Sequence, residues 1–317
     1  MTIQQLEYAM ALAKYGSYSK AARAVGNTQP AMSLRIKKLE EGVGLMLFDR
    51  TQKPVRPTVE GALFLEKAQL LLTQAEQLKD FAVGLKEEIS GEINIGIIPT
   101  LAPYLLPLFI SDLNRQFGEL KVHIKEMLTH EILEGLRTGE VHAGIISTPI
   151  QTRTKLVSKV LFYERFLLFV SERHPLFAQQ KVAVEDIALN DLWLLKEGNC
   201  FRDQVDNICE IARDSNRQNL FYYESNSIES LCRIVEYKGG VTFLPELTTL
   251  HLGPDREDMI KEIKGRPRVR EISMIHLPNE VRAHVLDEVL TVIQRNLPTH
   301  MMHLGEAEAI RTNIEDV

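Results

Sequence analysis

The chain has 317 residues, 44% hydrophobic and 25% charged, with three cysteines and a net charge of −6. That length supports two or three domains with buried cores, and that balance excludes a disordered, collagenous or disulfide-stapled chain. No run reaches the ~18 apolar residues of a membrane span, and the start "MTIQQLEYAMALAKYGS" lacks the basic end and apolar core of a secretory signal, so a reducing cytoplasm with no membrane partner is expected.

The first elements read as helices. Leu6, Met10 and Ala13 share one face of a helix that Gly16 ends. Ser19 is expected to cap a short helix from Lys20 to Val25, and Gly26-Asn27 makes a turn. Thr28 caps the next helix, which carries Pro30 in its first turn, Ile36 and Leu39 inward, and Ser33, Arg35 and Lys37 outward. Two helices joined by a glycine turn, the second polar at its start and basic along its side, describe a helix-turn-helix. The stretch "LFDRTQKPVRPTVEG" follows as a basic β-wing. Between Lys14 and Arg56 nine Lys and Arg stand against three acids, about +6, which leaves about −12 for the remainder. A basic head on an acidic body points to a polyanion partner. Candidate DNA contacts are Thr28, Gln29, Pro30, Ser33, Arg35, Lys37, Arg50, Lys53 and Arg56. Helix-start amides attract phosphate, Gln and Ser reach base edges, and the cations supply salt-dependent affinity. A long helix from Gly61 to Ile89 carries Leu63, Leu70, Leu71, Leu78, Phe81 and Leu85 in a heptad-like stripe. It either packs on its own head or pairs with a second copy, and the pairing linker is the expectation.

This head resembles the LysR-type transcriptional regulators. The matching residues are Leu6 and Ala11; Ser19, Ala21 and Ala22; Gln29 to Ser33 with Ile36, Leu39 and Glu40; Gly44; Leu47 to Arg50; and Thr58 to Gly61. The resemblance implies an N-terminal all-α winged helix-turn-helix over 1–60 and a linker and dimerisation helix over 61–89. It also implies a C-terminal α/β effector domain over 90–300, made of two subdomains like a periplasmic binding protein, and a tail over 301–317. Double-stranded promoter DNA, RNA polymerase and a homotetramer built as a dimer of dimers are the implied partners.

Beyond Ser90-Gly91, strand-like runs alternate with helical ones. Strands are expected at Ile93–Ile98, Val122–Glu126, Ala143–Ser147, Phe166–Ser171, Leu192–Leu195, Leu220–Glu224, Gly240–Leu244 and Val269–His276. Helices are expected at Leu105–Gln116, Glu131–Thr138, Ile228–Tyr237 and Ala283–Arg295. Such alternation predicts a mostly parallel sheet covered by helices, with crossovers between subdomains near Phe162–Phe166 and Arg266–Arg270. Thr100 and Thr129 fall at strand carboxyl ends, where sites lie in such sheets, although each also reads as an ordinary helix cap. Metal and cofactor are not expected: nine histidines lack ligand spacing, and "HEILE" lacks its second histidine.

Two cysteines sit nine positions apart in "GNCFRDQVDNIC". Asn199 is placed to cap a helix from about Phe201 to Arg213 with Val205, Ile208 and Ala212 buried. Cys200 then lies at the helix start, where the dipole and Arg202 favour a thiolate, and Asp203 can orient that arginine. Nine helical residues separate Cα atoms by ~13 Å, whereas a disulfide needs ~7 Å or less. On spacing alone the pair reads either as two core cysteines or as a switch in which bonding unwinds a helix. Cys232, in "SLCRIVEY", reads as a packing residue.

"EGNCFRDQ" followed by Cys209, "IGIIPTLAPYLLP" and Thr129-His130 resemble OxyR-type peroxide sensors within the LysR family. That resemblance runs to about residue 298. It implies Cys200 as the peroxidatic thiol and Cys209 as the resolving one, with Thr100, Thr129, Asn199, Arg202, Asp203 and Arg270 binding or polarising hydrogen peroxide. The family commonly has histidine before the reactive cysteine; Asn199 keeps a hydrogen-bond donor there and carries no charge. The implied protein is an activator of antioxidant genes. Two alternatives stand beside it: a LysR-type regulator answering a small anion with inert cysteines, and a thiol peroxidase. The basic head and the lack of a second redox motif argue against an enzyme.

Overall fold

Each of the first three helices begins where a hydroxyl can cap it. In the computed structural model, which describes residues 1–84, 91–209, 225–250 and 252–312, α1 (Ile3–Tyr15) opens with a reciprocal pair: Thr2 Oγ1 accepts from the Gln5 amide and Gln5 Oε1 accepts from the Thr2 amide. Gly16 closes α1 at φ 58°, a left-handed conformation that suits glycine. The cap of α2 (Tyr18–Ala24) is Ser17 and not Ser19. The two serines flank Tyr18, and only Ser17 stands three residues before an orphan amide, that of Lys20. Thr28 caps α3 (Gln29–Val43) as expected. The wing is a short antiparallel pair, β1 (Phe48–Asp49) with β2 (Arg56–Pro57).

The wing is held to α3 by the buried carboxylate of Glu40, one of the residues that carry the resemblance. Glu40 accepts from the Leu47 and Phe48 amides at 2.9 and 3.2 Å and from Arg50 Nη2 at 2.6 Å. Glu40→Ala strands two buried amides, so the first unit should lose about 2 kcal/mol of unfolding free energy. Chemical denaturation of the wild type and the variant checks this. Next, α4 (Val59–Gly84) starts so close to β1 that a Cβ on Gly61 would stand 2.0 Å from the Leu47 carbonyl oxygen. Leu65 and Ala68 of α4 are buried in the head core, while Leu63, Leu71 and Leu78 are exposed. One face of this helix therefore packs on its own head, while three leucines of the expected stripe stay outside and Leu70 is half-buried. The Phe81 side chain and the stretch from Leu85 to Ile89 lie outside the described residues.

The chain divides into Met1–Glu87 and Glu88–Val317. In the second unit, β3 (Gly91–Ile97), α5 (Ala102–Gln116), β4 (Leu120–Glu126), α6 (Thr129–Thr138) and β5 (Ala143–Thr148) build a first subdomain. Its strands run parallel, with Ile95 opposite both Ile124 and Ala143. The chain leaves along β6 (Val157–Val170). A second subdomain follows: β7 (Lys181–Val182), β8 (Leu192–Trp193), α7 (Cys200–Cys209), α8 (Ile228–Lys238), β9 (Val241–Pro245), α9 (Glu246–Thr249) and β10 (Ile260–Ile263). The chain returns along β11 (Arg268–His276) and finishes with α10 (Ala283–Arg295) and β12 (Glu308–Ala309).

The sheet is mixed, which corrects the mostly parallel expectation. β6 runs antiparallel to β9, β10 and β11, and β11 antiparallel to β5. The cause is the double crossing: one strand leaves and one returns, so the two must run in opposite directions. Residues 157–165 of β6 pair with β11, and residues 166–170 pair with β9. The switch falls within the expected Phe162–Phe166 crossover. Each subdomain has its own core. Ile95, Phe109, Ile145, Phe162 and Val289 belong to one; Phe169, Val205, Cys232, Val241 and Phe243 belong to the other. The strand expected at Leu220–Glu224 lies outside the described residues.

The tail is acidic and polar after His303, which by sequence suggests a loosely held or frayed helix; as far as Thr312 the structure differs. After a 3-10 turn at Thr299–Met302, β12 adds in parallel to β11, with the Glu308 and Ile310 amides donating to the Pro267 and Val269 carbonyls. Ile310 packs against the second core and Thr312 is buried. Backbone pairing, which side-chain polarity does not report, holds it in place.

Candidate functional site

The helix α7 carries a cysteine at each end. Asn199 Oδ1 accepts from the Phe201 amide at 3.0 Å, which starts the helix one residue earlier than expected. Cys200, Cys209 and Cys232 are all unbridged. The ten-residue helix keeps its terminal cysteines ~13 Å apart at 1.5 Å per residue, so a Cys200–Cys209 bond requires α7 to unwind. Ala212 and the remainder of the expected helix to Arg213 lie outside the described residues. Cys200 belongs to the first core, whereas its neighbour Phe201, with Val205 and Ile208, belongs to the second. The start of α7 therefore sits at the seam of the two subdomains.

Three further elements converge on Cys200. Thr100 follows β3 and Thr129 opens α6 after β4, and both side chains are buried. Arg270, from β11, is wholly buried. Its Nη1 donates to Thr100 Oγ1 at 2.9 Å, its Nη2 to the Thr100 carbonyl at 3.4 Å, and its Nε to Glu164 Oε1 at 2.6 Å. The guanidinium lies 5.1 Å over the Phe201 ring, which stacks on Phe166 at 5.3 Å. The Thr129 hydroxyl is buried with no hydrogen-bond partner of good geometry among the described residues.

Burial raises the Cys200 thiol above its ordinary value. Arg270, the Thr129 hydroxyl and the Phe201 amide pull it down, and Asp203 pushes it up. Desolvation is the largest influence on this thiol, and it works against the help that the helix start gives a thiolate. Arg202 is committed to partners on and beside α7. Its Nε donates to Asp206 Oδ2 at 2.7 Å and its Nη1 to the Leu195 carbonyl at 3.2 Å. Asp206, one turn on, holds it. Of the neighbouring arginines, Arg266 binds the Glu306 and Ala307 carbonyls, leaving Arg270 as the one that acts on the thiol. Cys232 is buried in the second core, and burial, with Glu229 beside it, pushes its thiol up to about 12.

Glu164 and Gln204 were missed in the sequence. Gln204 lies one turn beyond Cys200, on the same helix face, and that spacing could have marked it. It accepts from Ser147 Oγ at 3.3 Å and donates to the Ile310 carbonyl at 2.6 Å. Asn207 donates to the Arg311 carbonyl at 3.1 Å, and Thr312 Oγ1 to the Pro149 carbonyl at 3.2 Å. The tail thus straps α7. A chain ending at Gly305 lacks these ties, and amides of residues 200–209 should exchange at least about fivefold faster, since each lost hydrogen bond is worth about 1 kcal/mol. Hydrogen exchange by mass spectrometry measures this.

In the first unit the candidate DNA contacts form two groups. Thr28, Gln29, Pro30 and Lys37 are exposed on α3, Ser33 is half-buried, and Arg50, Lys53 and Arg56 are exposed on the wing. Arg35 is held back: its Nη1 donates to Gln4 Oε1 at 2.6 Å and its guanidinium lies 5.5 Å over the Tyr8 ring.

Comparison with known proteins matches residues 3–62 to the bacterial regulatory helix-turn-helix protein family, lysR family, and residues 86–298 to the LysR substrate binding domain. A Haemophilus influenzae protein named hydrogen peroxide-inducible genes activator is 31% identical over 301 residues, 92% of this chain and 99% of its own. The Escherichia coli DNA-binding transcriptional dual regulator OxyR is 32% identical over 95% of this chain and 97% of its own. The structure of a full-length OxyR variant from Pseudomonas aeruginosa superposes with a TM-score of 0.73 at 30% identity, covering 93% of this chain and 98% of that one.

Proposed function

This chain belongs to the lysR family of bacterial regulators, and from that premise we propose that it is a cytoplasmic DNA-binding transcriptional regulator that senses hydrogen peroxide through a Cys200–Cys209 disulfide and activates antioxidant genes. The observation that carries the reading is the cluster of buried groups around Cys200 at the start of α7. A buried thiol stands beside the buried Thr129 hydroxyl and a fixed Arg270, with a second cysteine at the far end of the same helix. Similarity over nearly the whole length to proteins named for peroxide-inducible gene activation supports it.

Peroxide entering the pocket is held by the Thr100 and Thr129 hydroxyls, with Asn199 and Asp203 at its edge. Cys200 Sγ attacks one oxygen, the O–O bond breaks, and the thiol proton passes to the departing oxygen, which leaves as water. Arg270 stabilises the charge that develops on that oxygen. Cys200 becomes a sulfenic acid. Once α7 unwinds, Cys209 Sγ attacks the sulfenic sulfur, releasing a second water and forming the disulfide. The balance is two thiols and one peroxide to one disulfide and two waters. Arg202, tied to Asp206, takes a supporting place in this scheme.

For DNA, Gln29, Pro30 and Ser33 at the start of α3 read base edges, Thr28 and the helix amides hold phosphate, and Lys37, Arg50, Lys53 and Arg56 add salt-dependent affinity. Arg35 contributes from its seat on Tyr8. The exposed leucines of α4 pair with a second copy, and two pairs make a tetramer that acts with RNA polymerase at the promoter. The test is a disulfide map after stoichiometric peroxide, taken with a DNA footprint. A Cys200–Cys209 link with an altered footprint is expected. No link at micromolar peroxide, with a footprint changed instead by a small anion, would sink the peroxide reading.

A further inference from the structure

A buried ion pair joins the two crossover strands beside Cys200. Glu164 on β6 and Arg270 on β11 are direct cross-strand partners, and both side chains are shut from solvent. Both Glu164 oxygens are committed: Oε1 accepts from Arg270 Nε at 2.6 Å, and Oε2 from the Leu247 amide at 2.9 Å. The carboxylate cannot turn without losing one of them. With Nε so fixed, the guanidinium directs Nη1 at Thr100 and its face at the Phe201 ring.

We infer that Glu164 is a positioning residue of the sensing site, which fixes the Arg270 guanidinium and, as its counter-charge, sets how much positive potential reaches Cys200. The inference rests on the reading of Cys200 as the reacting thiol. With Glu164 and Arg270 both ionised the pocket is neutral. Ionising Cys200 then adds an unpaired negative charge to a desolvated space, which is costly. Asp203 adds to that cost; the Thr129 hydroxyl and the Phe201 amide offset part of it. Without the Glu164 charge, Arg270 is the unpaired ion, and the Cys200 thiolate becomes its counter-ion. On its other side Glu164 meets the Glu246 carboxylate, but that group is held by Arg165 Nη2 at 2.6 Å and by His300. The arrangement keeps Cys200 quiet until a ligand with its own charge development enters.

The test is Glu164→Gln in the full chain, compared with Glu164→Asp. The readout is Cys200 thiolate formation against pH, followed by ultraviolet absorbance with Cys200→Ser subtracted. Glu164→Gln should lower the midpoint and give about tenfold more thiolate at neutral pH, one pKa unit. Glu164→Asp, which keeps the charge and loses reach, should titrate like wild type while sulfenate formation slows. A folded Glu164→Gln that titrates like wild type, or a Glu164→Asp that shifts as far as Glu164→Gln, overturns the inference. If Glu164→Gln does not fold, Arg270→Met and Glu164→Gln/Arg270→Met decide. The Arg270→Met midpoint should lie above wild type and the double variant's below that of Arg270→Met, because the opposing Glu164 charge is also gone; a double variant that titrates at or above Arg270→Met overturns it. The absorbance needs no peroxide, so a wild type that forms no sulfenate would remove the sensing reading and leave this result standing.

Discussion

Cys200→Ser is expected to abolish the response to peroxide while promoter DNA is still bound. Serine is nearly isosteric and its oxygen cannot reduce peroxide, so the step that starts the sequence is lost outright, a change of more than about a thousandfold in the rate of sulfenate formation. The fold should tolerate the change. Asn199 still caps α7, and Val205 and Ile208 still anchor it in the second core. The head lies in a separate unit and contains no cysteine. Peroxide titration with disulfide mapping and footprinting checks both halves. A normal footprint shift in Cys200→Ser would end the redox reading. In the companion variant Cys209→Ser, a sulfenate should accumulate on Cys200 and react with a dimedone-type probe.

Arg270→Met should be the most damaging single change to the second unit, costing about 3–5 kcal/mol, because it leaves Glu164 charged and buried without its partner. The cost has a predictable pH dependence. Burial already raises the Glu164 carboxyl above its ordinary 4.5, and Arg270 and the Leu247 amide oppose that rise. Without Arg270 the folded-state value climbs further, while the unfolded value stays ordinary. A raised carboxyl contributes stability that is present at low pH and lost as pH rises through the folded value. The penalty of Arg270→Met relative to wild type should therefore shrink as pH falls from 8 toward 5.5. Urea unfolding of both proteins across that range measures it, and a penalty that grows on acidification would contradict the pairing. Sulfenate formation in Arg270→Met should also slow by about a hundredfold or more, as for other charge-stabilising donors.

What the sequence disclosed was mostly local. Thr28 and Gly16 mark helix ends by their own chemistry, and the structure places caps on each. The Ser17 and Ser19 ambiguity is the limit of such signals, since two good caps stood two residues apart. Strand positions came through because β-branched and apolar runs are legible, whereas strand direction depends on where the chain goes next, which no run of residues encodes. The burial of the Cys200 thiol was not legible for the same reason. The helix start is local, but the burial that opposes it arises from a seam between subdomains. Glu164 was visible as a lone acid in the apolar run "LFYERFLLF", and an acid there asks for a partner. Its partner is 106 residues away, beyond the reach of pattern reading. The tail was misread because side-chain polarity says nothing about an edge strand's backbone.

The strap laid by residues 308–312 across α7 gives the protein a way to calibrate its trigger without altering the reacting groups. Ties made only while α7 is wound favour the dithiol, and for a two-electron couple about 1.4 kcal/mol corresponds to about 30 mV. Two such hydrogen bonds, from Gln204 and Asn207, would move the set-point by about that much toward easier reduction. On the peroxide reading, replacing Gln204 or Asn207, whose amides reach the tail carbonyls, shifts the peroxide threshold with the chemistry at Cys200 untouched.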